Sequence, residues 1–88
     1  MEYITLDGTE ATVAVEGRYD LTKTVFVSRE LKDAIDGGAH KVIVDFKDTT
    51  YIDSSALRDL AHVRRRVKPE NFFYKNAQGD IFISAYAP

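Results

Sequence analysis

The residues best suited to chemistry in this chain stand together at Asp53-Ser54-Ser55, directly ahead of an apolar stretch that reads as a helix. All three are helix N-cap types, because a short side-chain oxygen accepts from a free backbone N–H of the first turn. Asp20 stands in a comparable place before an earlier helical segment, where either Asp20 or Thr22 supplies the cap. Asp45, Asp48 and Asp53 together suggest a metal-binding acidic cluster. They fall on a strand, a loop and a helix cap without the spacing of a ligand loop, so turn and cap roles fit them better. His40 and His62 have no partner at metal-binding spacing. Neither makes a hydrolase pair with Ser55, since no nucleophile elbow precedes that serine. Arg58, His62, Arg65 and Arg66 recur at i, i+4, i+7 and i+8, a basic stripe running away from Ser55 along the second helix. Such a stripe meets an acidic partner surface or anionic headgroups, or is a solvated face whose cations suit the helix C-terminus.

Periodicity supplies the elements that must hold these residues. Tyr3-Ile4-Thr5-Leu6 is rich in β formers, Asp7-Gly8 is a turn, and Ala11 to Val15 resumes a strand with Val13 and Val15 on one face. The simplest reading is a hairpin, ended by Gly17. From about Thr24 a helix places Val27, Leu31, Ala34 and Ile35 on one stripe and Arg29, Lys32 and Asp33 opposite. Val25 and Phe26 do not fit that stripe, and Gly37-Gly38 stops the helix. Lys41 to Phe46 is apolar but for Lys41 and Asp45, a pattern that suits a strand covered on both faces. Lys47 to Thr50 reads as a loop, followed by Tyr51-Ile52. The second helix then turns Leu57, Leu60, Ala61 and Val67 inward and ends at Lys68-Pro69. Phe72-Phe73-Tyr74 is a further strand. Ile81 to Tyr86 is β-rich in composition, or is the stub of a helix. As a strand it would sit at a sheet edge and favour homodimerisation through this C-terminal segment. This order predicts an α/β fold: a mixed four- to five-stranded sheet with helices on one face and parallel pairing across the helical crossovers. Val27, Leu31, Ile35, Ile43, Val44, Leu57 and Leu60 are expected in one core.

Eighty-eight residues make one small domain over residues 1–88, and 44% hydrophobic with 30% charged residues excludes a disordered tail. The net charge of −2 speaks against a general nucleic-acid binder. The longest apolar runs, such as Val25-Phe26-Val27, are far too short to span a membrane, so no membrane insertion is expected. Met1-Glu2-Tyr3-Ile4 lacks the cationic start of a signal peptide. With no cysteine there is no disulfide and no thiolate zinc site, which favours a reducing compartment and a cytoplasmic location.

The stretch Lys41 to Leu57, KVIVDFKDTTYIDSSAL, resembles the core motif of the STAS domains, the sulphate-transporter and anti-sigma-factor-antagonist family. There a buried strand ends in a polar turn, and a hydrophobic pair leads into Asp-Ser-Ser-Gly-Leu at a helix start. Here the match is Asp53-Ser54-Ser55-Ala56-Leu57, with Ala56 in place of the glycine. Alanine is preferred to glycine inside a helix by about 1 kcal/mol. Upstream, Gly17-Arg18-Tyr19-Asp20 matches the family's Gly-x-hydrophobic-Asp after its second strand. The resemblance covers roughly residues 3 to 77. The family normally continues with a further helix, so the chain reads either as C-terminally shortened or as folding differently in its C-terminal part.

The resemblance implies a binding module without catalysis, cofactor or metal. Ser55 matches the serine that is phosphorylated in antagonists of anti-sigma factors. The unmodified protein would hold an anti-sigma factor serine kinase, and phosphorylation at Ser55 would release it. A PP2C-type phosphatase would reset the switch. A helix N-terminus suits this chemistry, because its free N–H groups and partial positive charge accommodate a phosphoryl group. Asp20, Asp53, Ser54, Arg58 and His62 are the accompanying partner-binding candidates, with capping and solvation as the plainer roles. The rival implication is a soluble STAS subunit of an ABC-type lipid transport system.

Overall fold

The computed structural model describes residues 1–77. The chain runs β1 (Ile4–Asp7), β2 (Glu10–Ala14), β3 (Gly17–Tyr19), α1 (Leu21–Asp36), β4 (Lys41–Asp45), β5 (Thr49–Ile52), α2 (Ser54–Arg64), a short 3₁₀ turn (Pro69–Asn71) and β6 (Phe72–Lys75). The predicted strand from Ile81 to Tyr86, and the homodimer expected through it, lie outside the described residues.

The main sheet is mixed, in the order β1-β2-β4-β6, with β1 antiparallel to β2 and the other pairs parallel. The hairpin closes through Gly8-Thr9, with Asp7 opposite Glu10 and Gly8 at φ 60, a position that suits glycine in a two-residue loop. The parallel pairs need the crossovers that α1 and α2 supply. A second, two-stranded parallel sheet pairs β3 with β5. Gly17, at φ 76, turns the chain out of β2 into it. The β3–β5 pair was not expected. Each strand is too short to show a period, and Thr49-Thr50, read as loop, belongs to β5. Thr49 is buried, and its hydroxyl donates to the Val15 carbonyl at 2.6 Å.

Alternation along the strands fixes which face the helices cover. Ile4, Ala11, Val13, Val42, Val44 and Phe72 are buried against Val27, Leu31, Leu57, Leu60 and Val63 of the helices. The opposite face carries the cross-sheet row Thr5, Thr12, Ile43 and Phe73, of which Phe73 is exposed and Ile43 only half-buried. Ile43 therefore lies outside the expected core, and β4 is not covered on both faces among the described residues. The apolar run hid a period-two pattern, in which Val42 and Val44 face the helices and the outward members are Lys41, Ile43 and Asp45.

Both helices depart from expectation at their ends. α1 starts at Leu21, three residues before Thr24, because Asp20 caps it. α2 stops at Arg64, short of Lys68-Pro69. Ala61 is exposed, and Val63 fills the inward position instead. The buried set Ala56, Leu57, Leu60 and Val63 is the true stripe. Ile35 and Val67 are partly buried against the core. The helices are tied by a partly buried hydrogen bond, Thr24 Oγ1 donating to Asp59 Oδ2 at 3.0 Å. Among the described residues no helix is long and apolar enough to cross a membrane.

Candidate functional site

The parallel register of β3 and β5 places Tyr19 beside Ile52. The next residues along these neighbouring strands are Asp20 and Asp53, so two motifs thirty-odd residues apart in sequence emerge side by side. Each aspartate caps the helix that follows it. Asp20 Oδ1 accepts from the Thr22 N–H at 3.1 Å and from the Thr22 hydroxyl at 2.5 Å. Asp53 Oδ1 accepts from the Ala56 N–H at 2.9 Å. Its other oxygen, Oδ2, accepts from the N–H of Leu21 at 3.1 Å. One carboxylate thus joins the N-termini of both helices, where free N–H groups and partial positive charge converge.

Asp53→Ala removes the α2 cap and the bond to α1 together. The cap is worth about 1–2 kcal/mol and the second bond about 1 kcal/mol. Urea unfolding should therefore show a clear loss for Asp53→Ala and a smaller one for Asp53→Asn, which keeps one acceptor oxygen. Equal losses would mean that the carboxylate does not bridge the helices.

Ser54 and Ser55 are the first two residues of α2, Ser54 exposed and Ser55 partly exposed. Ala56, at the position of the motif's glycine, is fully buried, which explains why a small residue stands there. Arg58 and His62 are exposed, one and two turns further along α2. The site therefore brings Asp20, Asp53, Ser54 and Ser55 together, with Arg58 and His62 trailing from it. The basic stripe is cut short: the helix ends at Arg64, and Arg66 instead pairs with Asp36 of α1.

Asp45, Asp48 and Asp53 do not converge. Asp45 accepts from the Lys47 N–H at 2.9 Å and from Asn76 Nδ2 at 2.8 Å, a turn role, and no metal-binding cluster gathers among the described residues.

Two residues of the site escaped the sequence reading as participants. Arg18 makes an ion pair with Asp20 at 3.6 Å and lies over the Tyr51 ring, 4.1 Å from its centroid. Only the pairing of β3 with β5 brings these residues together, and no local signal carries it. The Thr22 hydroxyl is the main cause that holds the Asp20 carboxyl below its ordinary value. Desolvation opposes it, and the Thr22 N–H, Arg18 and Lys23 add to it. A depressed folded value means that the Asp20 cap is fully present above the ordinary carboxylate range and is lost as the pH falls through the folded value. A carboxyl-carbon NMR titration should find Asp20 titrating below the ordinary aspartate value. In Thr22→Ala the midpoint should move up toward that value. An unmoved midpoint would contradict the hydroxyl's role.

The sequence model of the STAS domain matches residues 3–73. The chain belongs to the STAS domain family. Within the family, a STAS-domain-containing protein of Pseudomonas aeruginosa strain UCBPP-PA14 is 34% identical over 68 residues, covering 74% of this chain. The match spans 63% of that relative's own length, so the relative extends well beyond it. Among solved structures, the anti-sigma factor antagonist SpoIIAA in its unphosphorylated form shares the fold with a TM-score of 0.75 at 14% identity, over 89% of this chain and 74% of that one. An anti-sigma factor antagonist from Mycobacterium paratuberculosis also shares the fold, with a TM-score of 0.68 at 11% identity, over 93% of this chain and 90% of that one. These structural likenesses establish the STAS fold, with the Asp53-Ser54-Ser55 turn of this chain at the head of α2.

Proposed function

We propose that this STAS domain is an anti-sigma factor antagonist, a protein-binding module switched by phosphorylation at Ser55. In the unmodified state it binds an anti-sigma factor serine kinase in the cytoplasm. The kinase transfers the γ-phosphoryl group of ATP to the Ser55 hydroxyl, the hydroxyl proton is lost, and the complex dissociates. A PP2C-type phosphatase restores the free hydroxyl by hydrolysis.

The observation that carries this reading is the placement of Ser55. It is partly exposed on the first turn of α2, beside two carboxylates already committed to capping. A phosphate there meets a helix N-terminus, so it costs the fold little, while its charge of about −1.5 to −2 falls on the surface a partner would cover. The family membership supports the same reading, as does the fold shared with antagonists such as SpoIIAA. Asp20, Asp53, Ser54, Arg58 and His62 are the contact residues of this proposal.

The test is incubation of the full chain with an anti-sigma factor serine kinase and ATP, followed by peptide mapping. Phosphate on Ser55, absent from Ser55→Ala and retained in Ser54→Ala, is the expected result. Modification confined to Ser54, or none with an active kinase, would overturn the assignment.

A further inference from the structure

At the end of the helices away from Ser55 lies a groove of about 500 Å³, where the C-terminal end of α1 meets the chain that leaves α2. α1 has 16 residues, so about 24 Å of helix separates this groove from the Asp20 cap. The α1 end contributes Ile35, Ala39 and His40, and the chain after α2 contributes Arg66, Val67, Lys68 and Asn71. Because α2 stops at Arg64, the stretch that follows brings Val67 back against the core.

The groove joins an apolar floor to a set of hydrogen-bond donors. Ile35 and Val67 are partly buried against the core, and Ala39 is buried. Ligand clefts of about 300–1,000 Å³ typically combine such a lining with a few placed polar groups. The carbonyls at both helix ends are already spent. Those of Asp33, Ala34 and Ile35 accept from Gly37, Ala39 and Gly38, and those of Val63, Arg64 and Lys68 accept from Arg66, Val67 and Asn71. The side-chain donors are not spent. Lys68 is exposed and makes no ion pair among the described residues, where the His40 ring and the Asn71 amide also make no hydrogen bond. Arg66 gives Nη2 to Asp36 and keeps further N–H groups. No carboxylate lines the groove: neither Asp36 nor Glu70 is part of it. Lys68 is also held in place, since Pro69 behind it restricts its backbone to the extended region it occupies. Two full cations above an apolar floor, with no acid among the lining residues, complement a ligand with one anionic head and an apolar body.

We propose that this groove binds a small organic acid of the fatty-acid class. Its carboxylate sits against Lys68, with Arg66, His40 and Asn71 as further donors, and its chain lies on Ile35, Ala39 and Val67. An exposed ion pair alone is weak, so head and chain must act together. The site stands apart from Ser55 and does not rest on the phosphorylation switch.

The probe is sodium decanoate, kept below its micelle-forming concentration, titrated into the isotope-labelled full chain and followed by NMR. Decyltrimethylammonium carries the same chain with the opposite charge, and acetate carries the head alone. Decanoate should give saturable shifts centred on Ile35, Ala39, Val67 and Asn71, and neither control should do so. Lys68→Glu should weaken decanoate binding about five-fold or more, and added salt should weaken it as well. Lys68 is exposed, so this variant should keep the unfolding midpoint of the parent. Lys32→Glu reverses the same charge on an exposed residue outside the groove and should leave the affinity unchanged. Shifts that do not saturate, shifts centred elsewhere, equal binding of decyltrimethylammonium, or an affinity indifferent to Lys68→Glu would overturn the proposal. So would binding to phosphatidylglycerol vesicles with no saturable binding of free decanoate, since the cations would then serve a lipid surface.

Discussion

Truncating Leu57 to alanine is expected to lower the unfolding free energy by about 2–5 kcal/mol, the range for emptying a leucine-sized space in a packed core. Leu57 is only 5% exposed and lies two residues after Ser55, under the first turn of α2. It packs in the same cluster as Leu60, Val27 and Val44. A small domain holds about 5–15 kcal/mol in all, so this loss takes a large share of it. No disulfide is available to compensate, since the chain has no cysteine. The urea midpoint should fall with little change in slope. Ala61→Ser, one turn further on but exposed, should change stability by about 0.5 kcal/mol or less. An unchanged midpoint for Leu57→Ala, or a larger loss for Ala61→Ser, would contradict the packing of α2.

The second large effect concerns Ser55. Ser55→Ala removes the acceptor of the phosphoryl group and should hold the kinase partner constitutively. Ser55→Asp places a permanent carboxylate at the second position of α2 and should weaken binding about ten-fold or more, by repulsion and by desolvation of the new charge. Both variants should fold, because Asp53 supplies the cap and a helix N-terminus favours negative charge. The contrast between the two isolates the charge from any disturbance of the helix start. Isothermal titration with the kinase measures it. Equal affinities would leave Ser55 as a residue of the helix's first turn and nothing more.

Much of the α/β frame was legible in the sequence because hydrophobic period and glycine punctuation are local signals. The β1–β2 hairpin, the α1 stripe of Val27, Leu31 and Ala34, and the mixed sheet are as the patterns imply. Where a pattern was degenerate, the reading failed. Ile43 is aliphatic yet faces away from the helices, and Ala61 is small enough to suit either face of α2. At the site, the cap-forming residues were visible as residue types, but their meeting was not. Asp20 and Asp53 converge only because β3 lies parallel to β5, two strands of three and four residues whose pairing is non-local. The bond from Leu21 to Asp53, and the stacking of Arg18 on Tyr51, follow from that pairing. Val25 and Phe26, which did not fit the apolar stripe, are both exposed on α1.

The central claim is that the state of one hydroxyl, on Ser55, decides whether a partner is held. The most direct measurement takes a single preparation of the full chain and determines its affinity for the anti-sigma factor kinase before phosphorylation, after complete phosphorylation at Ser55, and after treatment with a PP2C-type phosphatase. The expected result is tight binding, then a loss of about ten-fold or more, then recovery. The same affinity in all three states would contradict the account.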